Sequence, residues 1–171
     1  MLFRSLSNAL HARVLVVAEE GASLRLVQTH GGEGANRNFS NTGIELVMKH
    51  RARVQHVLRQ EDAADAVHVS SIGATLATEA RYQALYAAFG ARFSRFDAVI
   101  RLNGEGAEAS INSVAVAGES LADTTIVLDH AAPRTQSRQL FKSVAGEEGR
   151  SVSQGRVIDR KSTRLNSSHV S

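Results

Sequence analysis

Residues 21–26 read Gly21-Ala-Ser-Leu-Arg-Leu26, and the phrase returns in altered form three times along the chain. The later copies are Arg51-Ala-Arg-Val-Gln-His56, Glu79-Ala-Arg-Tyr-Gln-Ala84 and Gly106-Ala-Glu-Ala-Ser-Ile111. Their alanines, Ala22, Ala52, Ala80 and Ala107, are separated by 30, 28 and 27 residues. After each alanine, apolar or small residues tend to recur at every second position: Leu24 and Leu26, Val54 and His56, Tyr82 and Ala84, Ala109 and Ile111. Upstream, Val14 and Val16 stand eight and six residues before Ala22, and Ile44 and Leu46 stand at the same places before Ala52. The third and fourth copies match at Ile72 and Val99, and less well at Ala74 and Arg101.

Alternation with period two marks half-buried strands. A unit of nearly constant length marks stacked repeats. The unit is therefore strand, tight turn, strand and looser connection. A β-sandwich would also give short alternating strands, but the steady period favours an all-β parallel β-helix, a β-solenoid, with little helix. Glycine suits the turn because it tolerates positive φ. Arg51 and Glu79 occupy the same place, so those two turns are expected to be of another type or strained.

The other segments fit this scheme. Val67–Ile72, Ala91–Leu102, Ser110–Val116, Thr124–His130, Gln139–Val144 and Gly149–Ile158 read as strands. Ala74–Ala91 is rich in Ala and Leu and could form a helix on composition, but the repeat demands a strand around Tyr82–Ala88. Thr29–Asn41 is Gly/Asn-rich and reads as a loop, and Pro133 is expected in another.

The organisation expected is a leader over 1–12, a β-helix core over 13–158 and a foreign tail over 159–171. In the tail, Asp159-Arg-Lys-Ser-Thr-Arg-Leu-Asn-Ser-Ser-His169 abandons the periodicity and looks like one reading frame of a DNA-sequencing adapter. On that reading the native chain continues past Ile158 in a different sequence.

The 171 residues are 43% hydrophobic and 22% charged, an ordinary globular composition. With no cysteine there is no disulfide framework, thiolate metal site or cysteine nucleophile in this chain. No apolar run is long enough for a transmembrane helix, and Met1–Arg13 does not make a convincing signal peptide. The formal charge of +3 hints at nucleic acid, but Arg160, Lys161 and Arg164 against Asp159 give the tail +2 of it. Arg13, Arg25, Arg51, Arg53 and Arg59 are scattered among acids, and aromatics are only 5% of the chain. A solvated surface is the better reading, with no nucleic-acid or membrane partner.

Chemistry is sparse. Gly31-Gly-Glu-Gly34 lacks the Gly-Lys-Ser/Thr ending and the following helix of a phosphate loop, and Gly104-Glu-Gly106 is an isolated Gly-x-Gly. The histidines His11, His30, His50, His56, His68, His130 and His169 form no metal-binding spacing. His56 and His68 lie on neighbouring strands and could approach, but a third ligand is wanting. Asp123, Asp129 and His130 are the most polar group in a strand-like run. Paired carboxylates there could serve sugar cleavage, although the bland reading is solvent-facing or turn-satisfying side chains. No catalytic, cofactor-binding or metal-ligating residue is assigned.

Three motifs occur in order: Asp123-Thr-Thr-Ile-Val-Leu-Asp-His130, Thr135-Gln-Ser-Arg-Gln-Leu-Phe-Lys142 and Gly149-Arg-Ser-Val-Ser-Gln-Gly-Arg156. Together they resemble the SufB/SufD family of iron–sulfur cluster assembly proteins over roughly Arg13 to Ile158. The Ser137-Arg-Gln-Leu140 form is more like the SufD branch than the SufB branch. The resemblance implies a segment of a right-handed parallel β-helix. It also implies a non-enzymatic scaffold in a cytoplasmic complex with a SufB-like paralogue and a SufC-like ATPase, a complex that assembles and transfers iron–sulfur clusters. It further implies that the family's functional His/Cys region and SufC-binding helices lie beyond Ile158, so that no cofactor is bound by this segment. The competing readings are a carbohydrate-active β-helix enzyme using Asp123 and Asp129, and a β-solenoid adhesion module.

Overall fold

The computed structural model describes residues 9–31 and 38–160. Among them are eleven strands and no helix: β1 Ala9–Ala18, β2 Ser23–Gly31, β3 Phe39–Met48, β4 Arg53–Glu61, β5 Val67–Leu76, β6 Arg81–Ala88, β7 Phe93–Leu102, β8 Glu108–Ala117, β9 Leu121–His130, β10 Gln136–Ala145 and β11 Arg150–Asp159. Odd-numbered strands build one sheet in the order β1-β3-β5-β7-β9-β11, and even-numbered strands build the other, β10-β8-β6-β4-β2. Every pairing is parallel. Each coil is thus one odd and one even strand, and about five coils stack into a β-solenoid. A parallel sheet needs both ends of each strand returned by a crossover, which the tight turn and the looser connection supply.

The interior is built of columns, because parallel register places equivalent side chains one above another. In the odd sheet Val14, Ile44, Ile72, Ala98 and Ile126 form one column and Val16, Leu46, Ala74, Ile100 and Leu128 the next. Facing them from the even sheet are Leu24, Val54, Tyr82 and Ala109. Leu46, Leu76, Ile100, Leu102, Ile126 and Leu128 are fully buried. Burying such a side chain contributes about 1.5–3 kcal/mol, and buried Leu58, Tyr86 and Phe96 continue the apolar interior toward the other end of the strands.

The tight turns repeat almost without variation. Ala22, Ala52, Ala80 and Ala107 each donate a backbone hydrogen bond to the carbonyl three residues earlier. The residue before each alanine has positive φ: 67° at Gly21, 56° at Arg51, 56° at Glu79 and 68° at Gly106. Positive φ at the third residue alone is the pattern of a type II turn. Arg51 and Glu79 therefore do not mark a different turn. They adopt the glycine conformation and bear its strain. The turns also stack, since Gly21, Arg51, Glu79 and Gly106 each donate to a carbonyl in the turn of the next coil. Arg134, at φ 55°, completes the series before Thr135.

Two expectations are corrected. Thr29–Gly31 ends β2 and Phe39–Asn41 begins β3, so only the middle of the expected Thr29–Asn41 loop, 32–37, lies outside the described residues. Parallel pairing extends strands into a stretch that composition alone reads as loop. In the fourth repeat, Val99 and Arg101 are not the equivalents of Ile72 and Ala74. Register pairs Ile72 with Ala98 and Ala74 with Ile100. Asn103-Gly-Glu-Gly106 holds one residue more than Ala77-Thr-Glu79, and a shift of one residue exchanges the two faces of a strand. Val99 and Arg101 consequently face outward. Gly104 fits the longer turn because a Cβ there would collide with the backbone of Ala77 and Thr78 in the coil below. The Ala- and Leu-rich stretch Ala74–Ala91 contains strand β6, as the repeat requires. β1 begins at Ala9, and β11 runs to Asp159.

Candidate functional site

Beside the looser connections the interior becomes polar. Strands of the odd sheet start at this end and strands of the even sheet finish there, so His68 near the start of β5 meets His30 near the end of β2. Their ring centroids are 4.6 Å apart. His68 Nδ1 lies 3.1 Å from Asp62 Oδ2 and 2.6 Å from Ser40 Oγ. Gln60 Nε2 donates to the same Asp62 oxygen at 2.9 Å. Gln28 Nε2 donates to His30 Nε2 at 2.8 Å. Deeper along β4, His56 Nδ1 is 2.9 Å from the Tyr82 hydroxyl. A cavity of about 300 Å³ opens beside this network, bordered by Gln28, His30, Ser40, Thr42 and Asp62 among others.

Burial governs the protonation of His30 and His56. Desolvation pushes His56 down to about 4. His30 also falls to about 4, through burial first and the neighbouring His68 second, with Asp62 opposing. Burial alone would raise Asp62, but hydrogen bonds from His68 and Gln60 outweigh it and leave the carboxyl below its usual range. At neutral pH the interior therefore holds neutral imidazoles at His30 and His56 and a carboxylate at Asp62. His56 Nε2 and His68 Nε2 are buried and have no partner among the described residues.

Ser40, His68 and Asp62 have the composition of a catalytic triad but not its wiring. A relay needs serine and carboxylate on opposite ring nitrogens, whereas both approach His68 Nδ1. His56 and His68 are brought into one interior network, as their neighbouring strands allow. Among the described residues no three His, Asp or Glu side chains converge to hold a metal ion.

The carboxylates weighed for sugar cleavage are separated. Asp123 and Asp129 stand on the outer face of β9 six residues apart, about 20 Å at strand rise. Glycosidase carboxyls stand within about 10 Å of one another. Asp123 accepts a hydrogen bond at 3.0 Å from Arg95, which also binds Asp97. Asp129 accepts two from Arg160, at 2.9 and 2.6 Å, and that guanidinium holds its carboxyl below the usual range. His130 turns inward at the tight-turn end, above Leu102 in its column. Its two nitrogens meet Thr135 Oγ1 at 2.7 Å and Ser137 Oγ at 2.8 Å. Two of the three sequence motifs thus meet at one corner, where His130 ties the end of β9 to the start of β10.

The remaining candidates disperse. His11 packs edge-on against Phe39, and His50 Nδ1 donates to the Thr78 carbonyl at 3.0 Å in the turn stack. His169 and Gly32–Gly34 lie outside the described residues. Arg13 is on the outer face of the odd sheet and Arg51 in a turn, while Arg25, Arg53 and Arg59 share the outer face of the even sheet. Sequence reasoning missed His30, Asp62 and Ser40. Laying the repeat out in register brings out His30 and Ser40, because His30 and Gln60 are column partners, as are Ser40 and His68, whereas Asp62 lies past the end of β4 and carries no such signal. No helix among the described residues is long and apolar enough to cross a membrane.

Comparison with known proteins gives the chain a family. Residues 2–170 match the family described as "SUF system FeS cluster assembly, SufBD core domain". An iron–sulfur cluster assembly SufBD family protein from Synechocystis sp. is 26% identical over 164 residues. That alignment covers 90% of this chain and 36% of the relative, so the chain spans about a third of the relative's length. No solved structure matches.

Proposed function

We propose a function from one premise: this chain belongs to the SufBD core-domain family of the SUF iron–sulfur cluster assembly system. In that system it is part of a SufD-like scaffold subunit and not an enzyme. It joins a SufB-like paralogue and a SufC-like ATPase in a cytoplasmic complex that builds clusters and passes them to apo-proteins. The match over residues 2–170 carries this reading. Ser137-Arg-Gln-Leu140 supports the SufD-like branch, and its serine is held by the motif histidine His130. The wiring at His68 and the spacing of Asp123 and Asp129 support a scaffold over a hydrolase. A rigid stack of parallel coils suits the role, because it fixes the distance and orientation between subunits bound along it.

The test is affinity purification of the intact gene product co-expressed with its SufB-like and SufC-like neighbours. A stable three-component complex is expected. Elution of the tagged protein alone, with both neighbours present and folded, would overturn the proposal.

A further inference from the structure

The outer face of the even sheet gathers residues that look scattered in the sequence. Val27, Val57, Leu85, Asn112 and Leu140 are successive register partners, one per coil. The four apolar members are 71, 38, 38 and 42% exposed. Basic side chains flank this line on both sides. Two residues back along the strands stand Arg25 and Arg138, and beyond them Arg53 and Arg81. Two residues forward stand Arg59 and Lys142. Glu61 and Glu108 are the acids of this face, and they pair with Arg59 at 2.5 Å and Arg81 at 3.3 Å. Arg25, Arg53, Arg138 and Lys142 have no ion-pair partner among the described residues. Six basic groups against two acidic give the face four net positive charges, more than the +3 of the entire chain.

The spacing of this pattern fits one kind of partner. Coils repeat every ~4.8 Å, close to the 5.4 Å pitch of an α-helix. Four steps span about 19 Å, or about 13 helical residues. The columns that hold Arg25 and Arg138 on one side and Arg59 and Lys142 on the other, with Gln55, Gln83, Ser110, Thr29, Ala87 and Val114 between them, lie about 6.6 Å from the apolar line, close to the 5–6 Å radius of a helix with its side chains. We propose that this face docks an acidic amphipathic helix of a partner polypeptide, laid along the solenoid axis. Its apolar edge rests on Val27, Val57, Leu85 and Leu140, and its carboxylates reach Arg25 and Arg138 on one side and Arg59 and Lys142 on the other. The line holds no aromatic ring for stacking bases, and none of the aromatic anchors typical of a membrane-interface surface, so a protein helix fits it better than RNA or lipid.

The experiment measures fluorescence anisotropy of a labelled 15-residue peptide with the intact gene product. The peptide carries leucines at positions 1, 4, 8, 11 and 15 and glutamates on both flanks. Comparison probes are a composition-matched peptide without the helical period, phosphatidylserine vesicles and polyuridylate. Saturable binding that weakens with salt is expected. It should fall at least tenfold in Leu85→Ser and in the double variant Arg53→Glu with Arg138→Glu, each checked by circular dichroism to be folded. Absence of binding, equal binding of the aperiodic peptide, unchanged affinity in the folded variants, or tighter binding to vesicles or polyuridylate would each overturn the proposal.

Discussion

His56 shows how one residue's setting becomes a property of the whole protein. It is 2% exposed, and its protonation is pushed from 6.5 to about 4 by burial. Between those values the unfolded chain binds a proton that the folded chain refuses, so stability falls as pH drops from about 6.5 and levels off below about 4. For a shift of this size the loss between pH 7 and pH 5 is about 2 kcal/mol for His56. His30 contributes in the same direction. Urea unfolding at the two pH values should show His56→Leu losing about half of the acid sensitivity of the parent. Parallel profiles for variant and parent would contradict this assignment. None of this was legible from His56 alone. A histidine at an alternating position can be a solvated, core or ligating residue, and only the facing strand decides which.

At the scale of the element, the tight turn is where sequence and conformation disagree most instructively. Gly21 and Gly106 meet positive φ at no steric cost, while Arg51, Glu79 and Arg134 meet it against the Cβ penalty. Arg51→Gly and Glu79→Gly should each stabilise the protein by about 0.5–1 kcal/mol, after the entropy glycine gains on unfolding is subtracted. The Arg51–Glu20 ion pair lost in the first variant is well exposed and contributes little. Gly21→Ala and Gly106→Ala should shift thermal midpoints the opposite way. A fall in midpoint for the two arginine and glutamate replacements would mean that the turns are not equivalent. The turns were legible in position but not in type. An alignment on the alanines located all four, yet residue identity at Arg51 and Glu79 argued against the conformation that stacking imposes. The same alignment, carried upstream at fixed offset, failed at Val99 and Arg101 because one inserted turn residue reverses the faces. Strands β5 through β11 were legible because each segment carries strand patterning, and the repeat length agrees with it through β8. In β6 the repeat outweighed a helical composition.

For the whole molecule, register is the quantity that gives scattered residues their meaning. It stacks Ile44, Ile72, Ala98 and Ile126 into a core, joins His30, His68 and Asp62 into a polar interior, separates Asp123 from Asp129, and lines Val27, Val57 and Leu85 between basic side chains. The three motifs between Asp123 and Arg156 disclosed the family from sequence, whereas the interior network and the basic face needed the coils laid over one another. Because the chain has no cysteine, disulfide trapping reads register without interference. Outward partners in adjacent parallel strands have Cα atoms about 4.8 Å apart, within disulfide reach. Partners one column off are about 8 Å apart and beyond it. The decisive measurement is therefore oxidation of two double variants, Val57→Cys with Leu85→Cys and Val57→Cys with Gln83→Cys, followed by non-reducing electrophoresis and mass spectrometry. The stacked solenoid predicts near-complete intramolecular cross-linking of the first pair and little of the second. Equal cross-linking of both pairs, or preference for the second, would contradict the coil register on which the fold, the interior and the proposed docking face all rest.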